Sequence, residues 1–308
     1  MRMTAFNDLS LLKAFVSIVE SGSISAAARM LHLSQPTLSR QLSALEAQCG
    51  AVLLRRDTHR MSLTQTGHQL FADAQAMLAF AEEAEQRLRG DQSRLAGNIR
   101  LFATIDFGQS VVSRLIASFI QANPAITIEL AYSNRPLHMI EEGCDVGIIA
   151  GNLTDDSVVA RPLGRIRRFL AASPAFVERQ KTPHSPKDIQ RWPWMALSNP
   201  QFGSSKEVLL SSATRGDLNL SINPVMIAEG VTSLHEAVRM GLGVAVLPEW
   251  LIEEDLVLGR LVRVLPKWHA NELPAHIIFP VQRHLPRRVR TFIDFAESYM
   301  ATVLKSEK

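Results

Sequence analysis

Apolar positions recur every three or four residues in three stretches near the start of the chain. Leu9, Leu12, Phe15, Val16 and Val19 make the first stripe, Ile24, Ala27, Ala28 and Leu31 the second, and Leu38, Leu42 and Leu45 the third. Each stripe predicts an amphipathic helix with one buried face. The alanines keep the middle stripe thin, so a neighbouring helix can pack close across it. Ser34 suits the N-cap of the third helix, and Pro36 falls in its first turn, where a missing N–H costs nothing. Apolar alternation then flanks a basic turn, Asp57-Thr58-His59-Arg60, which predicts a two-stranded wing. Residues 64–89 contain no Pro and one Gly, Gly67, and predict a long helix capped by Thr64. Leu70, Ala74, Met77, Ala81, Ala84 and Leu88 alternate steps of four and three, which is heptad spacing. With Ala at three of those six positions, the stripe suits close two-helix packing, against a second copy or against its own domain.

Residues 90–97 are polar and break this helix, placing a domain boundary there. Beyond it lie about 210 residues, enough for one or two α/β units. Strands are predicted at 99–104, 126–132, 146–149, 167–172, 194–197, 225–228, 244–247 and 274–280. Helices are predicted at 111–120, 136–142, 231–240 and 287–303. That alternation implies an α/β fold with parallel sheets and helices on both faces.

Charge sharpens the reading of the first part. The chain of 308 residues carries 33 Lys and Arg against 30 Asp and Glu, a formal excess of three. Five arginines against Glu46 and Asp57 give residues 29–60 a local excess of three, so the remainder nearly balances. Phosphate attraction is concentrated at this end. Opposite the Leu38–Leu42–Leu45 stripe, Pro36, Thr37, Arg40 and Ser43 point outward, flanked by Gln35 and Ser39. Gln can bond an adenine edge twice and Arg a guanine edge, while Ser and Thr reach phosphates or bases. Spacing alone fits an ordinary helical hairpin with a solvated polar face equally well; the wing and the arginines favour DNA.

These residues resemble the LysR-type transcriptional regulators. The resemblance rests on Asp8-Leu9, Leu12, Phe15, Glu20-Ser21-Gly22-Ser23, Ala26-Ala27-Ala28, Leu31 and Ser34-Gln35-Pro36. It continues through Leu38-Ser39-Arg40-Gln41-Leu42, Leu45-Glu46, Gly50, Leu53, Arg56, Leu63-Thr64 and Gly67. It implies a winged helix-turn-helix at 1–64 in which Gln35, Pro36, Thr37, Ser39, Arg40 and Ser43 approach the bases or backbone, and Arg56 and Arg60 grip phosphate or the minor groove. It further implies a linker helix at 65–95 that dimerises antiparallel, and an effector-binding domain at 96–308 resembling periplasmic binding proteins. In that domain 96–164 and 271–308 form one subdomain and 165–270 the other. Glu142-Gly143-Cys144-Asp145-Val146-Gly147-Ile148, Ala171-Ala172-Ser173-Pro174 and Gly241-Leu242-Gly243-Val244 through Pro248 are the matching landmarks. The implied partners are double-stranded DNA carrying an interrupted palindrome, a small-molecule effector, further copies of the chain as homodimer or homotetramer, and RNA polymerase. Two departures are visible: Leu54 where the family usually has Phe, and apolar Ile149 where a subgroup has Arg.

Ligands of such sheets sit beyond the carboxyl ends of strands, between subdomains. The residues at those ends are Thr104, Asp106, Ser133, Asn134, Arg135, Ser198, Asn199, Val231 and Thr232. Thr104, Ser133 and Thr232 can donate to a carboxylate at helix N-termini, and Arg135 is the clear cation nearby. Each fits a helix cap or turn residue as well. Asp106 adds a negative charge and Ile149 removes a positive one, so a carboxylate, an uncharged, an amine-bearing and a partly apolar ligand all remain open.

Other chemistries are not expected. Gly241-Leu242-Gly243 follows a helix and precedes a strand, the reverse of a dinucleotide loop. The nine histidines make no ligand cluster, and Cys49 and Cys144 form no CxxC pair, so no metal, cofactor or disulfide is expected. No nucleophile motif argues for an enzyme. No signal peptide and no apolar run of about eighteen residues is present, which points to the cytoplasm rather than a membrane. A small-molecule carrier without DNA output is the alternative class, and residues 34–56 argue against it.

Overall fold

The computed structural model of the chain describes residues 8–56, 61–88, 95–134, 139, 143–153, 158–198, 204–281 and 285–304. It opens with three helices, α1 (Leu9–Ser21), α2 (Ile24–Met30) and α3 (Gln35–Cys49). Each is capped from its own sequence: Asp8 accepts from the Ser10 amide, Ser23 from Ala26, and Ser34 from Thr37. Gly22 and Gly50 end α1 and α3 at φ of 69° and 64°, left-handed turns that suit glycine. Leu12, Phe15, Ala27, Leu38 and Leu45 are fully buried in one core, and Ala27 lets α2 cross close to its neighbours. Strands β1 (Leu54–Arg56) and β2 (Met61–Leu63) pair antiparallel, with Leu54 opposite Leu63. This is the expected wing.

Helix α4 (Gln65–Leu88) starts where Thr64 Oγ1 accepts from the Gly67 amide at 3.0 Å. Glycine is required there, since a Cβ on residue 67 would stand 2.1 Å from the Leu53 carbonyl oxygen. Part of the heptad stripe packs on the head's own domain. Leu70 and Ala74, with Phe71, are buried in the head's own core, and Phe71 meets Phe15 edge-on at 6.3 Å. One turn on, Met77 and Phe80 are 36% and 57% exposed.

The rest is an α/β unit on one mixed sheet. Its first part runs β3 (Ala96–Ala103), α5 (Ile105–Phe107), a wide π turn (Gly108–Val112), α6 (Ser113–Ala122), β4 (Ala125–Tyr132) and β5 (Val146–Ala150). The long β6 (Val158–Ala172) leads to α7 (Pro174–Val177), β7 (Trp194–Leu197), the hairpin β8 (Glu207–Ser212) and β9 (Gly216–Ser221), and β10 (Pro224–Ala228). Then come α8 (Val231–Arg239), β11 (Val244–Pro248), α9 (Glu249–Val257), β12 (Val262–Arg263), β13 (His269–Pro280) and α10 (Arg287–Val303). The strand order β10-β7-β11-β6-β13-β5-β3-β4 joins two half-sheets through β6 and β13.

The expected parallel sheets are thus only part of the picture. β3 pairs parallel with β4 and β5, and β7 with β10 and β11, but β6 and β13 run antiparallel to each other and to their outer neighbours. Both bridging strands are longer than the 167–172 and 274–280 expected. Pro162 and Gly164 interrupt the sequence pattern of β6, and Gly164, at φ 140°, faces a register shift between Ala275 and His276. The β8–β9 hairpin and α9 had no counterpart among the expected elements, and the helix expected at 136–142 lies almost entirely outside the described residues.

The two halves keep separate cores. Leu101, Ile148, Phe119 and Phe292 pack in the first, while Leu170, Trp194 and Val244 pack on one face of the second and Phe169, Leu234 and Leu247 on the other. The head rests on the first half. Glu20 of α1 pairs with Arg100 of β3 at 3.3 Å and accepts from Gln75 of α4 at 3.2 Å. Burial raises the Glu20 carboxyl above its ordinary range, partly offset by Arg100, and burial raises Asp145, whose carboxylate accepts from the Arg100 amide.

Candidate nucleic-acid interface and ligand cleft

On α3 the buried stripe of Leu38, Leu42 and Leu45 leaves Gln35, Pro36, Arg40 and Ser43 exposed and Thr37 and Ser39 half-buried. Ser34 Oγ lies 2.7 Å from Thr37 Oγ1, so the capping hydroxyls hold each other. Arg40 Nε donates to the Pro36 carbonyl at 3.3 Å, folding the guanidinium back along its own helix. The helix therefore offers a polar edge, along which the Arg40 guanidinium lies. Arg56 ends β1, but its side chain and all of Arg60 lie outside the described residues.

Between the two half-sheets lies a cavity of about 380 Å³. Among the expected ligand residues, Thr104, Asp106, Asn134 and Val231 line it. Thr104 is buried, and its hydroxyl accepts from the Ala150 amide at 3.2 Å. Ser133 and Ser198 secure strand ends beside the cavity, their amides donating to Ala103 and Ala228 carbonyls at 3.1 and 2.7 Å. Arg135 and Asn199 lie outside the described residues.

The anion place at the N-terminus of α8 is filled from within. Asp106 accepts from the Val231 amide at 3.0 Å, the Thr232 amide at 3.2 Å and the Thr232 hydroxyl at 2.5 Å. The expectation that Thr232 receives a ligand carboxylate therefore changes, because the chain supplies that carboxylate itself. A second link runs alongside: Asn134 accepts from the Ile105 amide and donates to the Glu229 carbonyl, each at 3.1 Å. Together these bonds clasp one half to the other across the cleft.

The family models agree with this division of labour. The model described as LysR substrate binding domain matches residues 92–301, and that described as bacterial regulatory helix-turn-helix protein, lysR family, matches residues 9–68. The HTH-type transcriptional regulator PtxR of Pseudomonas aeruginosa is 32% identical over 95% of this chain and 93% of its own.

The chain belongs to the LysR family of transcriptional regulators.

Solved structures agree. The LysR-type regulator CrgA of Neisseria meningitidis superposes with a TM-score of 0.60 at 27% identity, over 94% of this chain and 98% of that one. The virulence activator AphB of Vibrio cholerae, at 24% identity, shares the fold with a TM-score of 0.60 over 95% and 99% of the two chains. A DNA-binding helix-turn-helix and an effector-binding domain are thus joined in one LysR-type regulator. Its relatives are named as regulators rather than enzymes. No single described helix is long and apolar enough to cross a membrane.

Two cleft residues escaped the sequence reading. Arg168 of β6 lines the cavity between Ile166 and Leu170, residues that belong to the two different cores. Trp250 of α9 also lines it, and its indole N–H is buried without an acceptor among the described residues. For Arg168 a signal existed: Ile166, Arg168, Leu170 and Ala172 alternate, so the arginine occupies an inward position of a strand. Trp250, just past the end of β11, carried no comparable mark.

Proposed function

We propose that this LysR-type regulator binds an interrupted palindrome as a homodimer or homotetramer, with α3 in the major groove, and that a small molecule in the inter-half cleft sets the arrangement of its DNA heads. In this reading residues 1–64 read DNA, 65–95 pair the heads and 96–308 sense the effector, with 96–164 and 271–308 facing 165–270 across the cleft. Gln35, Pro36, Thr37, Ser39, Arg40 and Ser43 approach bases or backbone, and Arg56 and Arg60 of the wing meet phosphates. Thr104, Asn134 and Val231 line the effector's place, while Asp106 and Thr232 hold it closed.

The observation that carries the reading is the capped helix α3, buried along Leu38, Leu42 and Leu45 and exposed at Gln35, Pro36, Arg40 and Ser43. Its polar edge has the donors that base edges require, and the wing sits next in the chain where a duplex backbone would pass. Arg40→Ala is expected to weaken operator binding about ten- to a hundredfold in a mobility-shift titration at fixed salt, with helicity and oligomeric state unchanged. Wild-type affinity in that variant, or binding that ignores salt between 50 and about 200 mM, would refute it.

A further inference from the structure

The cleft lining holds one arginine that has no ion-pair partner among the described residues. Arg168 Nε donates to the Asn271 carbonyl of β13 at 2.6 Å, and the guanidinium forms no ion pair among the described residues. Its side chain keeps part of its surface open to the cavity, yet protein is dense enough around the guanidinium that burial lowers its pKa to about 10. It is still a cation near neutrality, held where solvation is poor. Removing a guanidinium from water without a counter-charge is unfavourable, and such sites persist where a ligand supplies the charge.

The surroundings narrow the partner. Phe107, Ile166, Val208, Leu273 and Trp250 give the cavity an apolar wall. Acidic groups also line the cavity: Asp106 is held by the α8 N-terminus, and Glu207 and Glu229 are exposed. With one cation and three carboxylates in the lining, a singly charged acid suits the cavity better than a phosphate dianion, which would add a further unmatched charge. A volume of 380 Å³ lies near the lower end of small-molecule sites, about 300–1,000 Å³.

We propose that Arg168 is the anion anchor of the cleft, and that the effector is a compact amphipathic monocarboxylate whose acid group pairs with that guanidinium while its apolar body packs on Phe107, Ile166 and Trp250. The assignment rests on the cleft reading above and fixes what that reading left open. The planar guanidinium, with Nε already engaged by Asn271, presents its two terminal nitrogens to a carboxylate in fork geometry. Because β6 and β13 join the halves, a ligand seated on Arg168 touches the strands that carry any change between them.

The test uses the full-length protein with benzoate, phenylacetate and hexanoate, each beside its neutral amide, and inorganic phosphate, by calorimetry and thermal shift. At least one acid is expected to bind about ten- to a hundredfold more tightly than its amide and than phosphate. Arg168→Gln should erase the preference for acid over amide while amide binding persists, which shows that the variant folds. Equal binding of acid and amide, preference for phosphate, no binding by any acid, or an undiminished preference in Arg168→Gln overturns the assignment. Ser205→Trp, which narrows the cleft at its lining, separates the two levels. Acid binding lost there, with the acid-over-amide preference kept in Arg168→Gln, refutes only the anchor; acid binding kept in Ser205→Trp refutes the cleft as the site.

Discussion

Removing the Asp106 carboxylate should open the cleft by a calculable amount. In Asp106→Ala three acceptor contacts vanish together: the Val231 amide at 3.0 Å, the Thr232 amide at 3.2 Å and the Thr232 hydroxyl at 2.5 Å. Losing a capping acceptor at a helix N-terminus costs about 0.5–2 kcal/mol, and losing a negative charge beside the helix dipole about 0.3–1 kcal/mol more. The contact is partly exposed, so a value near the middle of that sum, about 2 kcal/mol, is appropriate. At about 1.4 kcal/mol per factor of ten, the clasp then opens about thirtyfold more often. Amide hydrogen exchange reads this directly: Val231 and Thr232 should exchange about thirtyfold faster, while β6 and β13, deep in the sheet, keep their protection. Thr232→Val removes only the hydroxyl and should give about 1 kcal/mol, a fivefold effect. Combined with Asp106→Ala it should add almost nothing, because both changes break one contact. Exchange at Val231 and Thr232 within about threefold of wild type in Asp106→Ala would show that water already replaces the carboxylate, and the clasp would be discarded.

Two further outcomes follow from the head and its linker. Burial raises the Glu20 carboxyl, so the folded protein holds that proton more tightly than the unfolded chain does. This contribution to stability is full below the ordinary carboxylate range, about pH 4, and is lost as pH rises through the raised value. Urea unfolding of wild type and Glu20→Gln from pH 4 to about 7 should show wild type losing stability relative to the variant as pH increases; parallel curves would refute the burial argument. Met77, 36% exposed one turn past the head's own core, lies on the heptad stripe that the dimer proposal pairs. Met77→Glu should shift sedimentation toward monomer with the head still folded, and an unchanged oligomer would place the pairing elsewhere.

The head could be read in the sequence because its determinants are local. Ser34 caps Thr37 three residues on, Leu38, Leu42 and Leu45 share one helix, and the wing strands pair although only four residues separate them in sequence. The cleft could be located but not assembled, since its decisive contacts join distant residues. Asp106 and Thr232, 126 positions apart, each looked like a group aimed at a ligand, and only their meeting shows that they satisfy each other. A carboxylate and a helix N-terminus in one cleft are complementary before any ligand arrives, so adding them as separate ligand contacts counts one interaction twice. Arg168 is the opposite case. Its alternation with Ile166, Leu170 and Ala172 marks a charge facing inward, but Pro162 and Gly164 cut the visible strand to its last six residues, where Arg167 and Arg168 head the unbroken apolar run Phe169–Ala172 and the phase is lost. Restoring the full fifteen residues of β6 restores the phase, and with it the reason for the arginine. Burial of a charge is recorded in the period of its own strand, whereas neutralisation of a charge depends on a partner that the local pattern cannot name. The inward position of Arg168 is therefore a local property, while its lack of a counter-charge among the described residues is one that only the folded cleft reveals.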